Sequence, residues 1–133
     1  GKTLTISSGT RTGTLNFDGS LETNGSFSIT TGGTAGLAGD TILGGSGADT
    51  ITAGVGADSI IGGNGADIID FGYDTDADVL FLRGSSDTGA VSPAVIFWGG
   101  AVDAGVSIST TAMDKVTNFA ALDKIVTMIT IML

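Results

Sequence analysis

Apolar residues recur at every ninth position through the middle of the chain. Residues 35–70 divide into four consecutive nonapeptides that read AGLAGDTIL, GGSGADTIT, AGVGADSII and GGNGADIID. The eighth position is isoleucine in every copy: Ile42, Ile51, Ile60 and Ile69. A glycine-rich turn followed by a short strand, with the eighth residue pointing inward, is the unit of a parallel β-roll. The pattern therefore predicts an all-β fold, a right-handed parallel β-roll flanked by strand-rich caps.

Each nonapeptide also has an aspartate at its sixth position: Asp40, Asp49, Asp58 and Asp67. A fifth, degenerate copy, FGYDTDADV, keeps Asp76 in phase. Because two nonapeptides make one coil, equivalent residues recur every eighteen positions. This spacing predicts a column of Asp40, Asp58 and Asp76 along one edge of the roll. It predicts a second column of Asp49 and Asp67 along the other edge, ending at Ser85.

The chemistry of the turns indicates a bound calcium ion. Glycine tolerates positive φ and lets backbone carbonyls approach an ion closely. Calcium accepts a flexible cage of carboxylate and carbonyl oxygens, whereas magnesium demands a tighter shell. The stretch from Asp40 to Asp78 has eight acids and no lysine or arginine, so its stacked carboxylates need a counter-ion. We therefore predict Ca²⁺ bound by the five in-phase aspartates and by the turn glycines Gly45, Gly47, Gly54, Gly56, Gly63 and Gly65. An acidic glycine-rich linker would not explain the strict phase.

Residues 35–79 resemble the repeats-in-toxin (RTX) family, with its nonapeptide GGxGxDxUx. The resemblance implies a calcium β-roll in a protein that leaves bacteria unfolded through a type I secretion channel and folds outside the cell.

Two departures from the family pattern affect the predicted turns. Ala38 stands where the family has glycine, which predicts a weak first turn. Asp74, Asp76 and Asp78 replace the glycine turn of the last copy. The segment 113–125, MDKVTNFAALDKI, is similar to the one that closes many RTX rolls.

The repeats divide the chain into three parts: a strand-rich flank or cap at 1–34, the roll at 35–79, and a strand-rich capping segment at 80–133. Alternating apolar residues in the first part (Leu4 and Ile6, Leu15 and Phe17, Phe27 and Ile29) predict short half-buried strands, as hairpins or as degenerate coils. In the third part, the run AVIFW at 94–98 predicts a buried strand with Trp98 in the core. The final IVTMITIML is apolar on both strand faces and needs cover.

Ninth positions point outward because eighth positions point inward. One sheet should therefore show Leu43, Ile61 and Val79 on its outer face, while the other shows Thr52 and Asp70. A regular apolar stripe on a sheet invites association. We expect a flank of the chain or a neighbouring subunit to cover it.

Composition narrows the function classes. The net charge of −9 disfavours nucleic acid and anionic membranes as partners. The absence of histidine and cysteine excludes a histidine base, a histidine-bound zinc, a cysteine nucleophile and disulfides. No apolar run reaches membrane-spanning length. We therefore expect no catalytic residues and no enzyme activity.

Two interpretations remain. The first is a calcium-stabilised, self-associating structural module of a secreted bacterial surface protein, in a surface layer, filament or matrix adhesin. The second is an accessory domain of a type I-secreted enzyme such as a protease, lipase or alginate epimerase, where the roll aids secretion and folding. Both place the protein outside the cell or on its surface. The expected partners are calcium ions, further copies of the chain or neighbouring domains.

Overall fold

The computed structural model describes residues 1–33, 39–82, 97–98, 115–117 and 124–127. These residues form strands and no helix. The strand bounds are β1 Thr3–Ser7, β2 Asn16–Asp18, β3 Ser26–Thr30, β4 Thr41–Leu43, β5 Thr50–Thr52, β6 Ser59–Ile61, β7 Ile68–Asp70, β8 Val79–Leu82, β9 Phe97–Trp98, β10 Lys115–Thr117 and β11 Lys124–Thr127. The predicted all-β class is confirmed.

The strands form two parallel sheets in the manner of a solenoid. One sheet has the order β1-β3-β5-β7-β10-β9 and the other has β11-β8-β6-β4-β2. From β1 to β8, successive strands alternate between the sheets, so each pair of strands with its two turns makes one coil. All the strand pairs of the described residues are parallel. The predicted β-roll is therefore confirmed.

Isoleucines stacked in register form the core between the sheets. Ile42 pairs with Ile60 in one sheet, and Ile51 pairs with Ile69 in the other. All four are at most 1 % exposed, as predicted for eighth positions. Burial of such a side chain stabilises the fold by roughly 1.5–3 kcal/mol. The core between the sheets also includes Ala53 and Phe71, which directly follow β5 and β7.

The N-terminal flank continues the solenoid. β1 pairs with β3 and β3 with β5 in one sheet, while β2 pairs with β4 in the other. Parallel pairing favours the degenerate-coil alternative over hairpins, because a hairpin joins antiparallel strands. Phe17 and Phe27 bridge the two sheets edge to face, with ring centroids 5.0 Å apart. In one sheet Phe17 pairs with Ile42 in the place of an isoleucine, while in the other sheet Ile29 pairs with Ile51 and continues the stack.

The last coil of the roll is two residues longer than predicted. Thr41 pairs with Ser59 at a separation of eighteen, but Ser59 pairs with Val79 and Ile60 with Leu80, each at twenty. Leu80 is fully buried. Val79 therefore lies opposite Ser59, and its predicted place in an outer stripe with Leu43 and Ile61 is wrong. Leu43 and Ile61 do pair, and both are half-buried.

Three strands from the C-terminal part, β9, β10 and β11, extend the sheets beyond the repeats. β10 pairs with β7 and β11 pairs with β8, so 115–117 and 124–127 add strands to the two sheets. In the sheet of β7, the next described strand is β10 at 115–117.

The structure describes only a few of the residues that the remaining predictions concern. Within AVIFW, only Phe97–Trp98 is described, as strand β9 beside β10. The surroundings of Trp98, the turns with Ala38 and Ser85, and the apolar end after Thr127 lie outside the described residues.

Candidate metal centre

The turns between the sheets place the aspartates in two columns. Turns 44–49 and 62–67 lie on one edge of the roll and end in Asp49 and Asp67. Turn 53–58 and the longer turn 71–78 lie on the opposite edge, where Asp40 also stands. Asp40, Asp58, Asp49 and Asp67 are all at most 5 % exposed. The predicted alternation of these four aspartates between two edges is confirmed.

One carboxylate oxygen of every column aspartate accepts a backbone hydrogen bond from the preceding coil. Asp58 Oδ1 accepts from the Asp40 N–H at 2.6 Å, and Asp67 Oδ1 accepts from the Asp49 N–H at 2.8 Å. The columns begin in the same way, with Leu15 N–H to Asp40 Oδ1 at 2.9 Å and Phe27 N–H to Asp49 Oδ1 at 2.8 Å. Each carboxylate therefore points towards the coil that precedes its own coil in the solenoid.

Asp78, not Asp76, continues the first column. The Asp58 N–H donates to Asp78 Oδ1 at 2.8 Å, and Asp78 is 3 % exposed. The predicted place of Asp76 in the column is wrong because the last turn has two extra residues. Asp76 is half-buried, and its N–H donates to Asp74 Oδ1 at 2.8 Å. Asp74 Oδ2 accepts from Gly56 N–H at 2.9 Å, so Asp74 ties the long turn to the turn before it.

The second carboxylate oxygens differ from one aspartate to the next. Asp49 Oδ2 accepts from the Gly45 N–H at 2.9 Å within its own turn. Asp40 Oδ2 forms a salt bridge with Arg11. Asp58 Oδ2 is buried and has no hydrogen-bond partner. A buried carboxylate oxygen without a donor is costly, and a bound cation relieves that cost. The donor set at Asp58 thus fits an oxygen-seeking metal ion.

Backbone carbonyls of one turn lie close to the glycines of the next turn on the Asp49 and Asp67 edge. A Cβ added to Gly63 would lie 2.1 Å from the Gly45 carbonyl oxygen, and one added to Gly65 would lie 2.5 Å from that of Gly47. Gly63 and Gly65 have φ of 103° and 123°. Gly54 and Gly56 have φ of 93° and 118° in the turn on the opposite edge. Glycine at these positions lets carbonyl oxygens of successive turns stack close to the aspartate columns.

Burial disfavours the ionised form of two column carboxyl groups, those of Asp49 and Asp58. The pKa of Asp58 is raised from 3.8 to about 7, chiefly by burial and also by the charges of Asp40 and Asp74. The hydrogen bond from the Asp40 N–H and the charge of Arg11 lower that pKa. Burial also raises the pKa of Asp49, and the charge of Glu22 adds to the effect. A divalent ion favours the ionised form, so binding it and ionising these groups are coupled.

Sequence reasoning missed three residues at the site: Arg11, Glu22 and Asp78. Glu22 Oε1 accepts from the N–H groups of Asn24 and Gly25, and its Oε2 is buried without a hydrogen-bond partner. Nothing in the local sequence marks Arg11 or Glu22, because their roles arise from the stacking of distant turns. The sequence did contain a sign that Asp78 has a special place. If the eighteen-residue phase held, this aspartate would occupy an eighth position and point into the core.

The described part of the chain has no group of three or more acidic side chains placed to hold a metal ion together. The arrangement instead offers one column aspartate per turn, supplemented by backbone carbonyls. None of the described elements is a helix long and apolar enough to cross a membrane.

Together, the two parallel sheets and the stacked aspartate turns define a β-roll with oxygen-rich edges. Residues 34–72 match the family model described as the RTX calcium-binding nonapeptide repeat, in four copies. This segment is therefore an RTX repeat, and the predicted resemblance is confirmed. No curated protein and no solved structure gave a significant match to the chain. RTX repeats are calcium-binding structural modules typical of secreted bacterial proteins, so the chain carries a module of that kind.

Proposed function

We propose that this chain is a calcium-stabilised, self-associating structural module of a secreted bacterial surface protein, of the surface-layer, filament or adhesin type. Calcium binds along the two edges of the roll, with column carboxylates and stacked turn carbonyls as its ligands. The module is exported through a type I channel in low calcium and folds outside the cell. It has no catalytic role.

The observation that carries the calcium assignment is the pair of buried aspartate columns. Asp58 is 1 % exposed, has an oxygen without a donor, and has a pKa raised to about 7 by burial. If this group only supported the fold, its burial would be unfavourable, because burying an amide or an apolar residue costs less free energy. The RTX match over 34–72 supports the same ion. Asp49 and Asp67 serve the second edge in the same way.

The structural role is supported by the N-terminal edges of the sheets. β1 and β2 are end strands of their sheets, and among the described strands each has one partner. Four of the five residues of β1 are exposed, including Leu4 at 55 %. An open parallel edge can pair with a further strand. A second copy of the chain, or another coil of a longer one, would complete the solenoid there.

Sedimentation velocity and negative-stain electron microscopy test the proposal. We expect ordered oligomers in about 1–10 mM calcium, above the range of roughly 10⁻⁴–10⁻³ M at which extracellular calcium modules bind. We expect monomers after the ion is chelated. Thr5→Pro on β1 removes a backbone donor from the exposed edge strand and should abolish assembly. Thr5→Val keeps the backbone donor at the same position, so it is the matched control and should still assemble.

Two outcomes contradict parts of the proposal. A chain that binds calcium yet stays monomeric at all concentrations would exclude the assembling role and favour the accessory domain of a secreted enzyme. A chain that binds no calcium would contradict the proposed function as a whole.

A further inference from the structure

The loop between β1 and β2, residues 8–15, is the first turn of the Asp40 column. The Leu15 N–H donates to Asp40 Oδ1, and the Leu15 carbonyl accepts from the Thr41 N–H, each at 2.9 Å. In the next coil, the Asp40 N–H donates to Asp58 Oδ1 and the Asp40 carbonyl accepts from the Ser59 N–H at 2.8 Å. The two junctions use the same hydrogen bonds, so Leu15 holds the place that an aspartate holds in the later turns.

Arg11 links this first turn to Asp40. Its guanidinium forms a salt bridge with Asp40 Oδ2 and donates a second hydrogen bond to the Gly13 carbonyl. Its Nε donates to Ser8 Oγ at 3.0 Å. Ser8 Oγ also accepts from the Gly32 N–H at 3.3 Å, which ties the loop to the following turn. The arginine side chain is 19 % exposed and the Asp40 side chain 6 %, so the pair is largely shielded from water.

The contrast with Asp58 identifies what Arg11 replaces. Asp40 and Asp58 have the same Oδ1 hydrogen bond to the preceding coil, but Asp58 Oδ2 has no donor whereas Asp40 Oδ2 has the guanidinium. The guanidinium bridges a carboxylate of one turn and a carbonyl of the turn before. Carboxylate and carbonyl oxygens are also what calcium selects. Arginine supplies a permanent positive charge with several donors, which suits it to this place.

We propose that Arg11 is a tethered cation at the first inter-turn position of the Asp40 column, which closes the N-terminal end of the roll without calcium. This inference rests on the proposed function, since it assigns calcium to the later turns. It makes the first junction independent of the ion, and it keeps calcium out of that position. The roll then has one coil junction already formed in low calcium, on which the calcium-dependent coils can stack.

Calcium stoichiometry by titration calorimetry and native mass spectrometry tests the proposal. Arg11→Gln removes the charge but keeps a hydrogen-bonding side chain, and it should gain one calcium ion per chain relative to the parent. Lys2→Gln makes the same change of net charge at an exposed residue and should gain none. Asp40→Asn should bind as many ions as the parent, because the Asp40 carboxylate already has its cation. Asp58→Asn should lose one.

Hydrogen exchange in calcium-free buffer gives a second readout that does not depend on the ion count. The amides of Leu15 and Thr41 should be protected in the parent chain and should exchange at least tenfold faster in Arg11→Gln. Adding calcium should restore their protection in the variant. If Arg11→Gln binds no extra ion and its Leu15 and Thr41 amides stay protected, the tethered-cation proposal is overturned. If the parent chain itself binds no calcium, the proposed function fails instead.

Discussion

The backbone N–H of Asp58 donates to Oδ1 of Asp78 at 2.8 Å, across a separation of twenty residues. On the opposite edge, the Asp49 N–H makes the same bond to Asp67 across eighteen. The longer turn thus keeps the same hydrogen bond, although this coil has two more residues than the others. It does so because Leu80, and not Asp78, then points into the core, where it is fully buried. Packing of one leucine therefore decides which aspartate joins the column.

This relationship predicts a difference between two neighbouring aspartates. Asp78→Ala removes the acceptor of the Asp58 N–H and should lower the free energy of unfolding by about 1.5–3 kcal/mol, the usual contribution of a hydrogen bond to a charged group. Asp76→Ala should change it by less than about 0.5 kcal/mol, because Asp76 is half-buried and bonded through its backbone. Urea unfolding in saturating calcium measures both. A larger loss for the Asp76 variant would show that the column follows the eighteen-residue phase after all, and equal losses would contradict the special role of Asp78.

Within the first column, Asp58 should matter more for calcium than Asp40. Asp58→Ala removes a buried carboxylate with a free oxygen, whereas Asp40 is already paired with Arg11. Losing one site should cost about 2.7 kcal/mol of stability when calcium is at a hundred times its dissociation constant. Calorimetric titration should show fewer ions for Asp58→Ala than for Asp40→Ala. Comparable losses of bound calcium in the two variants would contradict the assignment of Asp58.

Glycine substitutions test how closely the turns stack. Gly63→Ala places a methyl group 2.1 Å from the Gly45 carbonyl oxygen at a φ of 103°, so the turn must shift. The left-handed conformation alone costs about 1–2 kcal/mol for a residue with a Cβ. Gly13→Ala is the control, since an added Cβ there meets nothing within 4 Å. Thermal unfolding should show a clear loss for the first variant and at most a small gain for the second. A harmless Gly63→Ala would mean that the turns are further apart than the structure has them.

The nonapeptide phase predicts the β-roll, its buried isoleucines and the two-edge arrangement, because identical units with a fixed inward position stack in only one register. The same phase gives the wrong prediction for the degenerate copy. With Asp76 at the sixth position, Asp78 would occupy the eighth position and would point into the core. The apolar run that begins at Val79 was the available sign of the two-residue shift. Arg11 and Glu22 could not be predicted, since each meets the columns through a fold that brings distant turns together.

Removal of calcium should unfold a large part of the roll. The stretch from Asp40 to Asp78 has eight acids and no basic residue, so its buried carboxylates repel when the ion is absent. Circular dichroism should show strand content rising between chelator and about 1 mM calcium, in the range of extracellular calcium modules. Magnesium at the same concentration should restore much less, because it prefers a tight octahedral shell. Equal strand content with and without calcium would contradict this prediction.

The calcium-free protein should become more stable as the pH falls from about 8 to about 4. Burial raises the pKa of Asp58 from 3.8 to about 7, so the folded chain holds a proton that the unfolded chain releases in this window. The stabilisation from that proton is complete below the unfolded pKa and is lost as the pH rises through the folded one. The raised pKa of Asp49 acts in the same direction. Melting temperatures measured in metal-stripped buffers should therefore decrease from pH 4 to pH 8.

Two controls separate the effect of Asp58 from a general effect of acid. Asp58→Asn cannot titrate, so its melting temperature should vary less with pH than that of the parent chain. Saturating calcium should reverse the trend in the parent, because the ion binds the ionised carboxylate and protons compete with it. Melting temperatures with calcium should then increase from pH 5 to pH 7.5. If Asp58→Asn follows the parent curve without calcium, the raised pKa of Asp58 is not the cause of the pH dependence.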